Sequence, residues 1–184
     1  FARPEDMPRL LHALLLQRGV SSADEARAFL SPGEEILRDP LLLSDMEKAV
    51  SRLRAALAKG ERVCVYGDYD VDGVTAAAIL YLHLTSLGAD VRAYLPDRHR
   101  EGYGLNEEAV RALAKDTDLL ITVDCGVNAV DMAALAKELG MDIVITDHHR
   151  PGADLPDCPL VDPLLNGYPC PHLSGAGVAF KLVE

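Results

Sequence analysis

Acidic residues follow four short apolar segments of this sequence, and two histidines follow the last of these acidic residues. The acidic residues are Asp68, Asp97, Asp124 and Asp147. Because parallel strands deliver their carboxyl ends to one edge of an open α/β sheet, we expect these side chains to converge. Two carboxylates 4 Å apart repel each other by about 1 kcal/mol even in water, so a cluster of them would persist because cations fill it. The pattern predicts a metal-dependent enzyme that acts on an oxyanion such as phosphate.

The segment over residues 67–73 reads Gly-Asp-Tyr-Asp-Val-Asp-Gly and carries three aspartates at alternate positions. They are Asp68, Asp70 and Asp72. An extended backbone would point them in one direction, and a helix predicted from Val74 would add the partial positive charge of its N-terminus, which favours phosphate. A calcium-binding loop of similar spacing needs Glu six residues beyond its Gly, but residue 79 is Ile. The alternative interpretation is a solvated acidic loop or a helix cap.

Asp147, His148 and His149 follow a predicted buried strand. A carboxylate with imidazoles suits Mn²⁺, Zn²⁺ or Fe²⁺ better than a site for magnesium or calcium alone. Asp124 follows the central predicted strand, where it could bridge two ions. The alternatives are a histidine pair that caps a loop and an aspartate that only makes a turn before Gly126.

Arg98, His99 and Arg100 follow the second predicted strand at the same edge. Arginine can hold phosphate through two parallel hydrogen bonds, so Arg98 is a candidate for binding substrate. A solvated charged surface is the competing interpretation of this run.

The elements that must position these residues begin near Arg62, where apolar strand-like segments alternate with helical ones. This alternation predicts an α/β fold: a mostly parallel sheet with helices on both faces. Residues 1–60 are predicted to form a small helical N-terminal region, and residues 61–184 the α/β catalytic domain. Ser44 to Glu47 has the pattern of a capping box at the start of a helix. The predicted helix at the C-terminal end is cut short at Glu184, so we expect the chain to be a fragment of a longer protein.

Composition narrows the function classes. The chain has 184 residues, 49% of them hydrophobic, and a formal net charge of −11. The acidity argues against a module that simply binds nucleic acid, because such modules are usually basic. The longest apolar runs are too short to cross a membrane, and the four cysteines form no C-x-x-C pair. We therefore expect a cytoplasmic protein with reduced thiols and no association with membranes.

Five motifs in this order resemble the DHH phosphoesterase superfamily, and within it the RecJ-type single-strand-specific DNA exonucleases. They read YGDYDVDGVT at 66–75, LPDR with GYGLN at 95–106, TVDCG at 122–126, TDHH at 146–149 and SGAGVAF at 174–180. The lead-in segments QRG at 17–19 and DPLL at 39–42 are also similar to that family. Any one of the motifs is modest support, but five in register are specific.

The resemblance implies a hydrolase that uses two Mn²⁺ or Mg²⁺ ions to degrade single-stranded DNA from the 5′ end to 5′-mononucleotides, in recombination and repair. Metal ligands would be Asp70, Asp72, Asp124 and His148. Asp68 would be a supporting or ligand carboxylate, Asp147 would orient His148, and His149 would face the scissile phosphate. Arg98, His149, Ser174 and Gly175 would bind substrate. A single-strand-binding protein or a helicase are the candidate protein partners.

Other functions stay open at the level of the sequence. Within the superfamily these are an oligoribonuclease, a small-substrate phosphatase and a catalytically inactive scaffold. Outside it, a haloacid-dehalogenase-type phosphatase would use Asp70 as nucleophile and Asp72 as acid and base, but it leaves Asp68 and the histidine pair unexplained.

The resemblance to the DHH superfamily also implies parts that this sequence does not contain. That family has a further metal-binding aspartate in a later motif, and its second domain would follow Glu184.

Overall fold

The computed structural model describes residues 1–31, 33 and 37–184. The chain forms two compact units, Phe1–Asp39 and Pro40–Glu184. The first unit contains helices α1 (Arg9–Gln17) and α2 (Ala23–Leu30) around a small apolar cluster of Leu15, Val20 and Ala26. The hydroxyl of Ser22 accepts a hydrogen bond from the amide of Glu25 and so caps α2. The predicted division of the chain at residue 60 stays a prediction.

The second unit contains a sheet of five parallel strands in the order β2-β1-β3-β4-β5. The strands are β1 (Val63–Gly67), β2 (Val91–Tyr94), β3 (Leu119–Val123), β4 (Asp142–Thr146) and β5 (Leu160–Val161). β1, β3 and the last four residues of β4 are buried, as expected for strands covered on both faces. The predicted α/β class with a mostly parallel sheet is confirmed.

Helices cover both faces of this sheet. The helices are α3 (Met46–Lys59), α4 (Val71–Ser86), α5 (Glu107–Leu113), α6 (Val130–Glu138) and α7 (Gly175–Val183). Because successive strand residues point to opposite faces, Val63 and Val65 of β1 join a core with α3, α4 and α7. Cys64 and Tyr66 join a second core with α5 and α6. The two cores hold the sheet between helical layers, which fixes where each strand ends.

Two local predictions were wrong in ways that matter for the site. Helix α4 begins at Val71 and not at Val74, because the carboxylate of Asp70 caps the helix by accepting hydrogen bonds from the amides of Asp72 and Gly73. Asp72 therefore lies in the first turn of a helix, and the extended alternation predicted for the three aspartates ends at Asp70. The predicted capping box at Ser44 is absent, since its hydroxyl bonds to the backbone of Leu160 and Asp162.

The strand order creates a reversal point between β1 and β3. The chain leaves β1 towards β2 on one side, and then returns past β1 to β3, β4 and β5 on the other. At such a point the loops at the carboxyl ends of the two central strands separate and leave a crevice, where open α/β sheets bind their ligands. Asp68 follows β1 and Asp124 follows β3, so both lie at this crevice.

Candidate metal centre

Asp68 and Asp70 enter the crevice from the turn between β1 and α4. Asp68 is buried, with one carboxylate oxygen, Oδ1, that has no hydrogen-bond partner among the described residues. The backbone packs closely here, since a Cβ on Gly73 would lie 2.5 Å from backbone atoms of Asp68. Glycine at position 73 therefore allows α4 to start directly over Asp68, and this close approach holds the two carboxylates at the end of β1.

Asp124 enters from the end of β3 with its side chain almost fully buried, at 1% exposure. Its backbone has φ of 61°, in the left-handed region that side chains other than those of Asn and Asp rarely adopt. Its Oδ1 atom also lacks a hydrogen-bond partner within the described part of the chain. A strained backbone and an unsatisfied buried carboxylate in one residue are typical of functional sites.

Asp72 faces the same crevice from α4 and is held by the start of α7. Its two carboxylate oxygens accept hydrogen bonds from the amides of Gly175 at 2.7 Å and Ala176 at 2.8 Å. Oδ2 of Asp72 also lies 3.5 Å from Nε2 of His148. Asp72 thus links α7 to the histidine that follows β4.

Asp147 organises the histidine pair after β4. Its buried carboxylate accepts hydrogen bonds from the backbone amides of His148, His149 and Val127, the last at 2.8 Å. It also lies 2.7 Å from Nδ1 of the His149 ring. The family resemblance implies that Asp147 orients His148. In the structure its carboxylate holds the backbone amide of His148, and the imidazole ring beside it is that of His149.

The potential ligand atoms form two overlapping groups. In one group, single atoms of Asp124, His148 and His149 lie within 4.8 Å of one another, and in the other the same holds for Asp68, Asp70 and Asp124. Asp124 belongs to both groups, which is the position expected of a carboxylate that bridges two ions. Of the four predicted metal ligands, Asp70, Asp124 and His148 fall in these groups, and Asp72 lies beside them. Asp68 and His149 join the groups as well.

The residues fit a divalent cation on two observations. Nε2 of His148 lies 3.0 Å from Oδ1 of Asp124, yet that oxygen makes no hydrogen bond. Adjacent ligands around an ion at about 2.1 Å are separated by roughly 3 Å, so this spacing suits two atoms that face one cation. Leaving a buried oxygen unsatisfied costs about 1–3 kcal/mol, and Asp68 and Asp124 each contain one. A bound cation would remove both penalties.

The surroundings of the three carboxylates of Asp68, Asp72 and Asp124 shift their pKa values in different directions. Burial, together with the charges of Asp72 and Asp70, raises the pKa of Asp124 from 3.8 to about 7. Burial also raises the pKa of Asp68. For Asp72 the effect of burial is outweighed by hydrogen bonds from Ala176, Gly175 and the hydroxyl of Ser174, so its pKa is lowered.

The imidazole of His149 carries a raised pKa. Burial of the ring works in the opposite direction, but the hydrogen bond to Asp147 and the negative charges of Asp147, Asp124 and Asp68 prevail. The pair of Asp147 and His149 thus favours a protonated ring at the edge of the centre.

Of the predicted substrate-binding residues, Arg98 is exposed, whereas Ser174 and Gly175 make hydrogen bonds within the protein. The guanidinium of Arg98 lies over the ring of Tyr69, 5.3 Å from its centroid, on an exposed turn at the same edge of the sheet. Ser174 and Gly175 begin α7, where their polar groups already hold Asp72 and cap the helix. Asp97, which the sequence placed at this edge, caps its own turn through the amides of His99 and Arg100.

A cleft of about 460 Å³ opens beside His149. Its lining includes Tyr103, Asn128 and Arg150, which were not predicted as site residues from the sequence. Tyr103 packs its ring edge against His149, with ring centroids 5.8 Å apart, and half of the tyrosine is exposed. Asn128 joins two loops of the cleft by accepting the amide of Gly152 and donating to the carbonyl of Arg150. The sequence singles out Arg150 only by its place directly after the histidine pair. Tyr103 belongs to the GYGLN motif and lies between Gly102 and Gly104, both of which have positive φ.

Known proteins resemble this chain along nearly its whole length. The family model described as "DHH family, N-terminal domain" matches residues 62–184. The single-stranded-DNA-specific exonuclease RecJ of Bacillus subtilis is 45% identical over 179 residues, which are 95% of this chain and 23% of that relative. RecJ of Escherichia coli is 38% identical over 188 residues, covering 98% of this chain and 31% of the relative. The chain thus spans only about a quarter to a third of the curated relatives that it matches.

Two solved structures that resemble this chain are also of RecJ proteins. A structure of RecJ from Thermus thermophilus in complex with Mn²⁺ superimposes with a TM-score of 0.74 and 34% identity, covering 94% of this chain and 24% of the other. A structure of exonuclease RecJ bound to manganese superimposes with a TM-score of 0.70 and 41% identity, and the match covers 77% of this chain and 37% of the other. Because the family model covers two thirds of the sequence and includes every residue of the candidate centre, this chain belongs to the DHH family.

Proposed function

We propose that this chain provides the metal-binding part of a single-strand-specific 5′-to-3′ DNA exonuclease that releases 5′-mononucleotides in recombination and repair. The observation that carries the proposal is the sharing of Asp124 between two ligand groups at the reversal point of the sheet. A buried carboxylate that bridges two ions is the arrangement used for displacement at phosphorus. Relatives that are named as single-stranded-DNA-specific exonucleases support the choice of substrate.

In this proposal the two groups of side chains would hold two Mn²⁺ or Mg²⁺ ions, and Asp124, which belongs to both groups, would serve both. The ligands would be Asp70, Asp72, Asp124 and His148, with Asp68 beside them, and His149 is assigned to the substrate. When bound, the ions would lower the pKa of water and stabilise the leaving oxygen of the phosphodiester. Structures of relatives that contain Mn²⁺ or Mg²⁺ support this choice of metals.

The side chains around the ions would position the substrate. His149, held by Asp147 through Nδ1, presents a proton to the non-bridging oxygens of the scissile phosphate. Arg98 would contact a neighbouring phosphate from its exposed turn, and we retain Ser174 and Gly175 as predicted substrate contacts. The exposed ring of Tyr103 would border the nucleotide in the cleft.

We further propose single-stranded DNA as the macromolecular partner, with a single-strand-binding protein or a helicase delivering it. The cytoplasm is the proposed location, in line with four cysteines that are all free. No helix within the described residues has both the length and the apolar character that crossing a membrane would require.

The test uses the intact protein with 5′-labelled and 3′-labelled single-stranded DNA, matched duplex DNA, an oligoribonucleotide and p-nitrophenyl phosphate. We expect Mn²⁺-dependent release of mononucleotides from the 5′ end of single-stranded DNA, and none with EDTA. Preference for the oligoribonucleotide or for p-nitrophenyl phosphate would move the protein to another function within the family. Absence of hydrolysis on every substrate would leave the inactive scaffold.

A matched pair of variants links activity to the centre. Asp70→Asn keeps a residue that caps α4 but removes one charged ligand, so we expect activity to fall roughly a hundredfold or more. Asp97→Asn is the control, because Asp97 follows a strand at the same edge yet lies in neither ligand group. Equal activity of the two variants would contradict the assignment of Asp70.

A further inference from the structure

The first residues of α7 contact two separate carboxylates of the metal centre. The amides of Gly175 and Ala176 donate to the two oxygens of Asp72 at 2.7 and 2.8 Å. The hydroxyl of Ser174 accepts the amide of Gly177 as the N-cap of α7, and so fixes the start of the helix that holds Asp72. Asp72 lies 103 residues before Gly175, so these contacts depend entirely on the tertiary fold.

Gly175 also packs against Asp124. A Cβ on Gly175 would lie 2.5 Å from both Cβ and Oδ1 of Asp124, closer than real side chains approach one another. Neither group can move away easily, because Asp124 is buried and its backbone is already in the left-handed region. The hydrogen atom of glycine is thus the only substituent that this contact accommodates without displacement.

The two contacts place α7 against Asp124, which both ligand groups share, and against Asp72, which lies beside those groups. Asp124 is common to both ligand groups, and Asp72 lies 3.5 Å from His148 of the first group. Hydrogen bonds to both oxygens of Asp72 fix its orientation, and the helix N-terminus offsets part of its charge. Ligand geometry around an ion is sensitive to such supporting contacts, which typically change metal affinity 10- to 100-fold.

We propose that Ser174, Gly175 and Ala176 are positioning residues that set the metal affinity of the centre, so that metal binding and the docking of α7 stabilise each other. The proposal rests on the metal centre assigned under the proposed function. It gives Ser174 and Gly175 a role distinct from the substrate contact predicted for them. Coupling of this kind is reciprocal: if docked α7 strengthens binding of the ion, the bound ion strengthens docking to the same extent.

The test measures Mn²⁺ affinity by calorimetry for two glycine variants of the intact protein. Gly175→Ala would force Asp124 or α7 to move, and we expect its Mn²⁺ affinity to fall about tenfold or more. Gly177→Ala is the matched control, the same substitution two residues further along the same helix. A Cβ there would lie 3.3 Å from a terminal carbon of Leu173, which can move, so we expect affinity within about twofold of the original.

Two further measurements keep the test decisive if Gly175→Ala does not fold. Ser174→Ala should weaken Mn²⁺ binding, and Ser174→Thr, which keeps the hydroxyl, should restore it. Hydrogen exchange in the original protein should show that Mn²⁺ increases the protection of the amides of Gly175 and Ala176. A KM for DNA that rises in Ser174→Ala with unchanged Mn²⁺ affinity would overturn the proposal in favour of a substrate contact.

Failure of this inference is distinguishable from failure of the proposed nuclease function. Unchanged Mn²⁺ affinity in the Gly175 and Ser174 variants, in a protein that degrades single-stranded DNA, would reject the role of α7 alone. A protein that binds Mn²⁺ with the expected order of affinities but hydrolyses no DNA would reject the nuclease function and retain the role of α7.

Discussion

At the scale of single residues, Asp124 combines three features that oppose stability. It is buried, it adopts a left-handed backbone conformation, and one of its oxygens lacks a hydrogen-bond partner within the described residues. Such a residue persists in a folded protein when function requires it. Asparagine has nearly the same shape and tolerates the left-handed region equally well, so it separates the contribution of charge from that of conformation.

We expect Asp124→Asn to stabilise the metal-free protein and to abolish its response to metal. Removal of a carboxylate with a pKa raised to about 7 should increase the free energy of unfolding at pH 8 by on the order of 1–3 kcal/mol. Urea unfolding with and without Mn²⁺ measures both effects. Asp154→Asn, on an exposed loop, is the control and should change neither quantity. A less stable Asp124→Asn that still gains stability from Mn²⁺ would contradict this account.

At the scale of elements, α4 determines the position of the site through its packing. It packs on the sheet beside α7, with Leu80 and Leu84 fully buried in the core and Asp70 and Asp72 at its N-terminus. The carboxylates are therefore placed by a helix whose opposite end is anchored among apolar side chains. Loss of core packing along α4 should loosen the site without any change to its ligands.

The comparison of two leucines on α4 tests this dependence. Leu80→Ala should reduce the free energy of unfolding by about 2–5 kcal/mol because it leaves a cavity in the core. Leu82→Ala removes the same atoms from a side chain that is 64% exposed, and should change stability by about 0.5 kcal/mol or less. Urea unfolding gives both values, and similar values for the two variants would show that α4 is not anchored as described.

Patterns local to the chain predicted some elements and missed others. Ser22 and Asn106 cap α2 and α5 as their side chains predict, because an N-cap needs only residues within the next turn. Ser44 has the same local pattern, but its hydroxyl bonds across 116 residues to Leu160. A partner so distant in sequence cannot be recognised from the motif, so the predicted capping box was wrong.

At the scale of the whole molecule, the carboxylate cluster adds to a formal net charge of −11. The metal-free protein therefore carries local repulsion that a cation relieves. A ligand that binds only the folded state stabilises it by about 2.7 kcal/mol at one hundred times its dissociation constant. We expect Mn²⁺ to raise Tm accordingly, and EDTA to reverse the increase.

The pH dependence of this stabilisation has a defined sign. Asp124 has a folded-state pKa of about 7 against 3.8 for an ordinary aspartate, so between these values the folded state binds more protons than the unfolded state. Asp124 therefore contributes stability to the metal-free protein that is fully present below pH 3.8 and is lost as the pH rises through about 7. Buried Asp162, with a pKa raised by burial to about 6, adds to the same trend.

We consequently expect the increase in Tm caused by saturating Mn²⁺ to grow between pH 5 and pH 7.5, because binding must displace the proton from Asp124. Differential scanning calorimetry at several pH values measures this increase. Asp124→Asn, which is expected not to respond to Mn²⁺, should show no such increase at any of these pH values. An increase in Tm that is independent of pH would show that Asp124 does not exchange a proton for the metal.

Local sequence patterns were enough to predict the α/β class and the strands that bring Asp68, Asp124 and Asp147 to one edge, and they led to the hypothesis of a metal centre there. These inferences need only the period of apolar residues within short segments and the alternation of strands with helices along the chain, which favours parallel pairing. The folded structure was needed to show that α7 holds Asp72, that Gly175 packs against Asp124, and that the ring beside the carboxylate of Asp147 is that of His149. Each of these depends on contacts between residues far apart in sequence or on one side-chain direction, and neither quantity is encoded in a local pattern.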